Sequence, residues 1–211
     1  MNVPAIAKKT YEELRNQNEF MAIVHSVLDR LRKITTPIER AQMVHLEVEN
    51  FNQEVFSHPL VAKFSPCKLG CDGCCHTQVS VTDDEAALLA QRIEDGLVIE
   101  MPRLELQAEA ENNSDAYFKL KYQDRRCVFL DDKGGCRVYE DRPSVCRTNA
   151  VLGDASQCDT SVAVGPTRLI RTPKSDMAIY ASFLFSKESG TLPFMISKAL
   201  KEKKEKDSKV S

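Results

Sequence analysis

Cys67, Cys71, Cys74 and Cys75 stand within nine residues, in the run Cys67-Lys-Leu-Gly-Cys71-Asp-Gly-Cys74-Cys75, and His76 follows directly. Four more thiols come later, at Cys127, Cys136, Cys146 and Cys158. The first run has neither helix nor strand period, so it is not a packing pattern. Gly70 and Gly73 sit between its thiols, where a backbone turns tightly around something small. The reading is a loop wrapped on a metal and closed by the distant cysteines. Thiolates bind soft or borderline cations: zinc, Cu(I), or the irons of a cluster.

The spacing serves two chemistries. Cys71-x-x-Cys74 is the knuckle common in structural zinc sites. Cys67-x-x-x-Cys71-x-x-Cys74 also suits three irons of a [4Fe–4S] cluster, leaving one iron open. Eight thiols can divide as two four-cysteine sites, or as one cluster with spare thiols. Cys74 and Cys75 are adjacent, so their side chains are expected to diverge and to serve different sites. Four thiolates around Zn²⁺ or a [4Fe–4S] core carry a formal double negative charge, which needs donors and cations nearby. Arg142 and Arg147 flank Cys146 and are the candidate cofactor-contacting cations. Arg126 and Arg137 adjoin Cys127 and Cys136.

Composition narrows the partners. The chain has 211 residues, 42% hydrophobic and 28% charged, with a net charge of −2. That is the balance of a globular protein, not of a nucleic-acid or anionic-membrane binder. Between Asp124 and Arg147, five arginines and one lysine face five acids, which leaves no basic face for a nucleic-acid-reading zinc ribbon. No apolar run reaches the roughly 18 residues of a membrane span. No apolar stretch follows Lys8 and Lys9, so no signal peptide is expected and the cytoplasm is. Thiols stay reduced there, which favours metal over disulfides.

The elements that must position the thiols are mostly helical. Phe20, Val24, Val27, Leu31 and Ile34 predict a helix over Tyr11–Ile34. Thr36-Pro37-Ile38-Glu39 predicts an N-cap and the start of a second helix, with Ala41, Val44, Val48, Phe51 and Val55 as its apolar stripe. The two read as a helical hairpin over residues 1–62, the surface offered to any protein partner. Ser65-Pro66 ends this region. Val79 and Val81 read as an extended piece. Thr82-Asp-Asp-Glu85 is a capping box for a helix that ends at Gly96. The polar run Glu105–Ser114 reads as a loop or exposed helix. Phe118, Leu120 and Tyr122 alternate as in a strand. Cys127–Leu130 and Cys136–Tyr139 flank Asp131-Asp132-Lys133-Gly134-Gly135 as in a β-hairpin. The run Arg142–Arg147 reads as a turn or helix start. Arg168–Arg171 reads as a short strand, Ser175 or Asp176 as the cap of a late helix, and Leu192–Leu200 as another. The fold expected is α+β and mainly helical, with a small metal-stapled β-hairpin core. The cysteine domain spans residues 63–198, followed by a disordered lysine-rich tail over 199–211.

Order and context of these motifs resemble the YkgJ-type cysteine-cluster family, described as a zinc- or iron-chelating domain. The resemblance rests on Cys67, Cys71, Cys74 and Cys75, then Cys127-Val-Phe129-Leu130, Cys136-Arg-Val138-Tyr139-Glu140, Arg142-Pro143-Ser-Val-Cys146-Arg147 and Cys158. It implies metal binding by all eight cysteines. Members are often labelled iron–sulfur proteins or oxidoreductases, and flagellin lysine methylase carries a similar cysteine domain. Three functions follow. The first is a protein holding one or two iron–sulfur or zinc centres. The second is an iron–sulfur enzyme of redox or S-adenosylmethionine-dependent protein methylation. The third is a zinc-stabilised interaction module. No GxGxxG nucleotide loop is present, and the chain is short for a full barrel. Spacing and family labels together favour [4Fe–4S] over Zn²⁺.

Overall fold

The computed structural model describes residues 2–68, 70–161 and 169–210. Among them the chain is mainly helical, with one small antiparallel sheet. Four helices lead: α1 (Ala5–Leu14), α2 (Asn18–Lys33), α3 (Pro37–Phe56) and α4 (Pro59–Phe64). The cysteine run follows, then β1 (Ser80–Thr82) and α5 (Asp83–Glu94). After α6 (Met101–Ala108), α7 (Ser114–Phe118) and α8 (Ser144–Thr148) come α9 (Pro173–Phe185), β2 (Ser189–Thr191) and α10 (Leu192–Val210). β1 and β2 pair antiparallel, with Val81 opposite Gly190.

Local signals hold. The Thr36 hydroxyl accepts from the Glu39 N–H and starts α3. Thr82 and Glu85 form the reciprocal box at the start of α5, and Gly96 leaves that helix at a positive φ of 105°. Ser65 is extended before Pro66, ending α4.

Non-local packing changes the rest. The expected Tyr11–Ile34 helix breaks at Arg15–Gln17 into the end of α1 and α2, because each half packs on α9. Tyr11 of α1 stacks on Tyr180 of α9, with ring centroids 3.9 Å apart. α2 and α3 do not form a self-contained hairpin. Val24, Val27 and Leu31 share a core with Val44, Val48, Met177, Ile179 and Phe183, so α9 completes the N-terminal helices from far down the chain. A second core joins Val81, Leu89, Leu104, Val128, Phe129, Val138 and Ile196. The two meet through α3 and α5: Arg40 holds Asp84 with two hydrogen bonds of 2.6 and 2.8 Å.

Four further expectations are corrected. The alternation at Phe118, Leu120 and Tyr122 is not a strand. Phe118 ends α7 and Tyr122 opens a 3-10 turn, and both rings face the Arg125 guanidinium. The Cys127–Tyr139 hairpin keeps its turn, with Asp131 accepting from Lys133 N and Gly135 N, but its ladder shrinks to one bridge, Leu130–Cys136. Cys127 N is taken by Cys75 O, and Tyr139 turns into a 3-10 helix, so the strands cannot lengthen. α9 starts at Pro173, after a Thr172 that makes no side-chain cap, and Ser175 and Asp176 lie inside the helix, where they bond Asn52 and Thr10. The lysine-rich segment expected to be disordered continues α10 to Val210. Of the strand expected over Arg168–Arg171, Arg168 lies outside the described residues, and Leu169 makes a single bridge with Val151.

Asp176 gives a test of this helical core. It is buried, and Thr10 Oγ1 donates to it at 2.7 Å. Burial pushes its carboxyl up to about 6, against the pull of the Thr10 hydroxyl and Arg171. The folded protein therefore holds this proton more tightly than the unfolded chain, and stability falls as pH rises through 6. Asp176→Asn is expected to stabilise the protein by about 1–3 kcal/mol at pH 8 in urea unfolding, the gain shrinking as pH falls towards 4. A gain independent of pH, or none at pH 8, would contradict this.

Candidate metal centre

Each stretch that carries a thiol is fixed by neighbouring backbone. Cys71 N bonds Lys68 O at 2.9 Å, closing the first turn of the cysteine run. Gly70 takes a positive φ of 88° there, open to solvent. A 3-10 turn, Gly73–His76, then carries Cys74 and Cys75. Cys127 N donates to Cys75 O at 2.8 Å, which draws the hairpin segment onto this turn. Gln107 of α6 donates to Asp124 O and Arg126 O, and Tyr117 OH donates to Arg125 O at 2.8 Å, steadying the approach to Cys127. The hairpin tip rests on the cysteine run: a Cβ at Gly134 would lie 3.1 Å from Gly70 O.

α8 carries Cys146, and a buried acid sets its position. Glu85 uses one oxygen for the capping box. Its other oxygen accepts from Ser144 N and Ser144 Oγ, both at 2.7 Å, and lies 3.2 Å from His45 Nε2. Burial alone would raise this carboxyl. The hydrogen bond and charge of His45, with the two Ser144 donors, outweigh burial and hold it at about 2. α3, α5 and α8 thus meet at one carboxylate.

All eight cysteines line one cavity of about 520 Å³. Arg142 and Arg147 line it too. None of the eight is in a disulfide, and Cys67 is the exposed one. The Cys75 thiol donates to Cys74, and with help from the Asn149 side chain and Arg142 this brings Cys74 down to about 7 despite burial. Donation to Cys74, then burial, then the Cys74, Cys127 and Cys146 charges push Cys75 upward. Burial and then Cys127, Cys74 and Cys136 push Cys146 well up. Burial and then Cys74, Cys67 and Cys71 raise Cys158 to about 11. Thiols crowded enough to repel one another as thiolates are the arrangement a cation relieves.

The donor set therefore fits a soft metal. A second observation agrees: the Arg142 Nε–H is buried without a hydrogen-bond partner, while its guanidinium lies 4.2 Å over the Tyr139 ring and lowers Cys74, Cys136 and Cys146. Arg147 is occupied differently. Its Nε donates to Arg142 O at 3.0 Å, Nη1 reaches Glu49 at 3.2 Å, and Nη2 donates to Glu140 O. It braces the Arg142 backbone. Arg126 pairs with Asp132 and Arg137 donates to Val98 O, so both are engaged away from the thiols. Among the described residues, no three His, Cys, Asp or Glu side chains are closed around a point as a single ion would hold them.

Sequence reasoning did not find Asn149 or the second role of Glu85. Asn149 lies three residues past Cys146, and only the fold brings its amide to Cys74. The capping box signalled one oxygen of Glu85 and was silent on the other.

Gly73 is required by a close approach. A Cβ there would lie 3.0 Å from Cys158 Cβ and 3.5 Å from its carbonyl carbon and oxygen. Gly73→Ala is expected to part the two turns and cost about 1–3 kcal/mol, read as a lower melting temperature with earlier metal release. A variant as stable and retentive as the parent would contradict the contact.

No helix among the described residues is long and apolar enough to cross a membrane. No curated protein and no solved structure matches the chain. Residues 66–163 match the family model CxxCxxCC, described as "Putative zinc- or iron-chelating domain". Across that segment, which contains every cysteine, the chain is similar to the CxxCxxCC family.

Proposed function

We propose that the protein holds iron–sulfur in its eight-thiol cavity, with zinc as the other metal this donor set accepts. The observation that carries the reading is that all eight thiols converge on one space of about 520 Å³. One tetrahedral zinc ion takes four thiolates, so eight gathered thiols exceed the needs of a single ion. The Cys67-x-x-x-Cys71-x-x-Cys74 spacing favours iron–sulfur in the same direction. The cysteines are the ligands, and Arg142 supplies its buried Nε–H and positive charge to the thiolates. When bound, such a centre supplies electron transfer, or an iron free of thiolate to which a small molecule can bind. The chain's own part is to gather the thiols and compensate their charge. Cytoplasmic residence agrees with eight unpaired thiols.

A zinc-stabilised interaction module is the second reading. It is favoured by Leu46 on α3 and by Leu60 and Phe64 on α4, all more than half exposed. The N-terminal helices would then meet a protein partner.

A visible spectrum and acid-labile sulfide, on protein isolated without oxygen, separate the two. Brown protein with iron and sulfide in equal amounts supports the cluster. Colourless protein with zinc and no sulfide overturns it in favour of the second reading.

A further inference from the structure

We propose that Gln78 is a positioning residue of the metal centre, its side-chain amide donating a hydrogen bond to sulfur in the loaded cavity. The inference rests on the metal-chelating reading above and adds a neutral donor to the cysteines and Arg142.

Gln78 follows Cys75 by three residues and lines the same cavity as the thiols. Its Nε2 is buried and makes no hydrogen bond to the protein. Among the described residues, two buried side-chain donors of the cavity wall stand in this state, Gln78 Nε2 and Arg142 Nε. Neighbouring polar groups of the wall are spent on backbone. Gln107 Nε2 donates to Asp124 O and Arg126 O, and Tyr117 OH donates to Arg125 O. Arg147 donates to Arg142 O and Glu140 O. A buried N–H₂ group without an acceptor is costly, so one held at a cavity wall points to an acceptor that arrives with the cavity's occupant.

The backbone on both sides of Gln78 is pinned. Thr77 N and Thr77 Oγ1 donate to Cys74 O at 3.3 and 2.8 Å, which ties the preceding residue to the turn that carries the thiols. Leu192 N donates to Val79 O at 2.8 Å, and Val79 packs on the second core. The amide is thus held between the cysteine turn and the start of α10, with little freedom to swing out to water.

The chemistry of the two partners matches. Metal binding displaces the thiol protons, and the thiolates or sulfides that result accept hydrogen bonds more strongly than thiols do. An amide N–H₂ donates to them without bringing a proton that could be lost. Such a bond spreads the negative charge of the sulfurs and fixes their direction. Its gain therefore belongs to the loaded protein, whereas in the stripped protein the same amide is a burden.

The test compares the parent, Gln78→Met and Gln78→Glu as full chains isolated without oxygen. Iron and zinc are counted per chain, and melting is followed before and after stripping with a chelator. Methionine keeps the length of the side chain and removes the donor. Glutamate keeps the shape and puts an acceptor in the donor's place. Gln78→Met is expected to hold metal about tenfold more weakly than the parent. It should melt lower when loaded, yet no lower than the parent when stripped. Gln78→Glu should hold metal more weakly still, because a carboxylate repels the sulfurs. Retention by Gln78→Met equal to the parent's would overturn the proposal. So would an equal fall in melting temperature in the loaded and stripped forms, which would show that Gln78 only fills the wall. Gln78→Glu holding metal as firmly as Gln78→Met would overturn it too, because the group that faces sulfur would not be the donor. A parent that carries neither iron nor zinc would instead overturn the chelating reading, and this proposal with it.

Discussion

Glu85→Gln is expected to cost about 3 kcal/mol of stability at pH 7 and to let metal escape to a chelator that the parent withstands. Glu85 is 2% exposed and satisfies three donors besides its own cap: Ser144 N, Ser144 Oγ and the His45 ring. An amide there turns a second oxygen into an N–H₂ group, which must face donors, and buried donors without an acceptor cost about 1–3 kcal/mol. α8 loses its anchor, and Cys146 moves with it. The sign of the pH dependence follows from the depressed carboxyl. Its stabilisation is complete above the ordinary value of 4.5 and is lost as pH falls towards about 2. Urea midpoints of parent and variant should therefore differ fully at pH 7 and converge below pH 4.5. A difference that is the same at pH 7 and pH 3 would show that the charge is not what matters.

Stripping the metal is expected to loosen part of the molecule and spare the rest. The described residues of 66–79 and 126–161 hold only short helical turns and isolated bridges, so few backbone hydrogen bonds fix them. Thiol–metal bonds must supply what a sheet would. Binding to structural sites of this kind is worth on the order of 10 kcal/mol in small domains. The melting temperature should fall by about 10 °C or more on chelation. Amide exchange should rise sharply in those two stretches, while α2, α3 and α9 keep their protection around Val27, Val48 and Ile179. Uniform exchange throughout the chain would mean that the helical core also depends on the metal.

What could be read in the sequence was what is decided within a few residues. Thr36 with Glu39, Thr82 with Glu85, and Gly96 mark helix ends because capping is local. The gathering of eight cysteines on one cavity was legible because cysteine has little other use at such spacing. The misreadings share a different cause. The stripes on α2 and α3 declared an apolar face without naming its partner, which is α9, more than a hundred residues on. Phe118 and Tyr122 imitated a strand because both rings had to reach Arg125. Glu85 looked like a helix cap, and its second oxygen is the joint of three helices.

The most direct measurement of the central claim, that all eight cysteines surround bound metal, is thiol alkylation of the native protein followed by intact mass. Protein isolated without oxygen should take up almost no reagent, even at exposed Cys67, and should gain eight groups after chelation. The same uptake before and after chelation would contradict the account, because thiols that react alike in both states are not ligands.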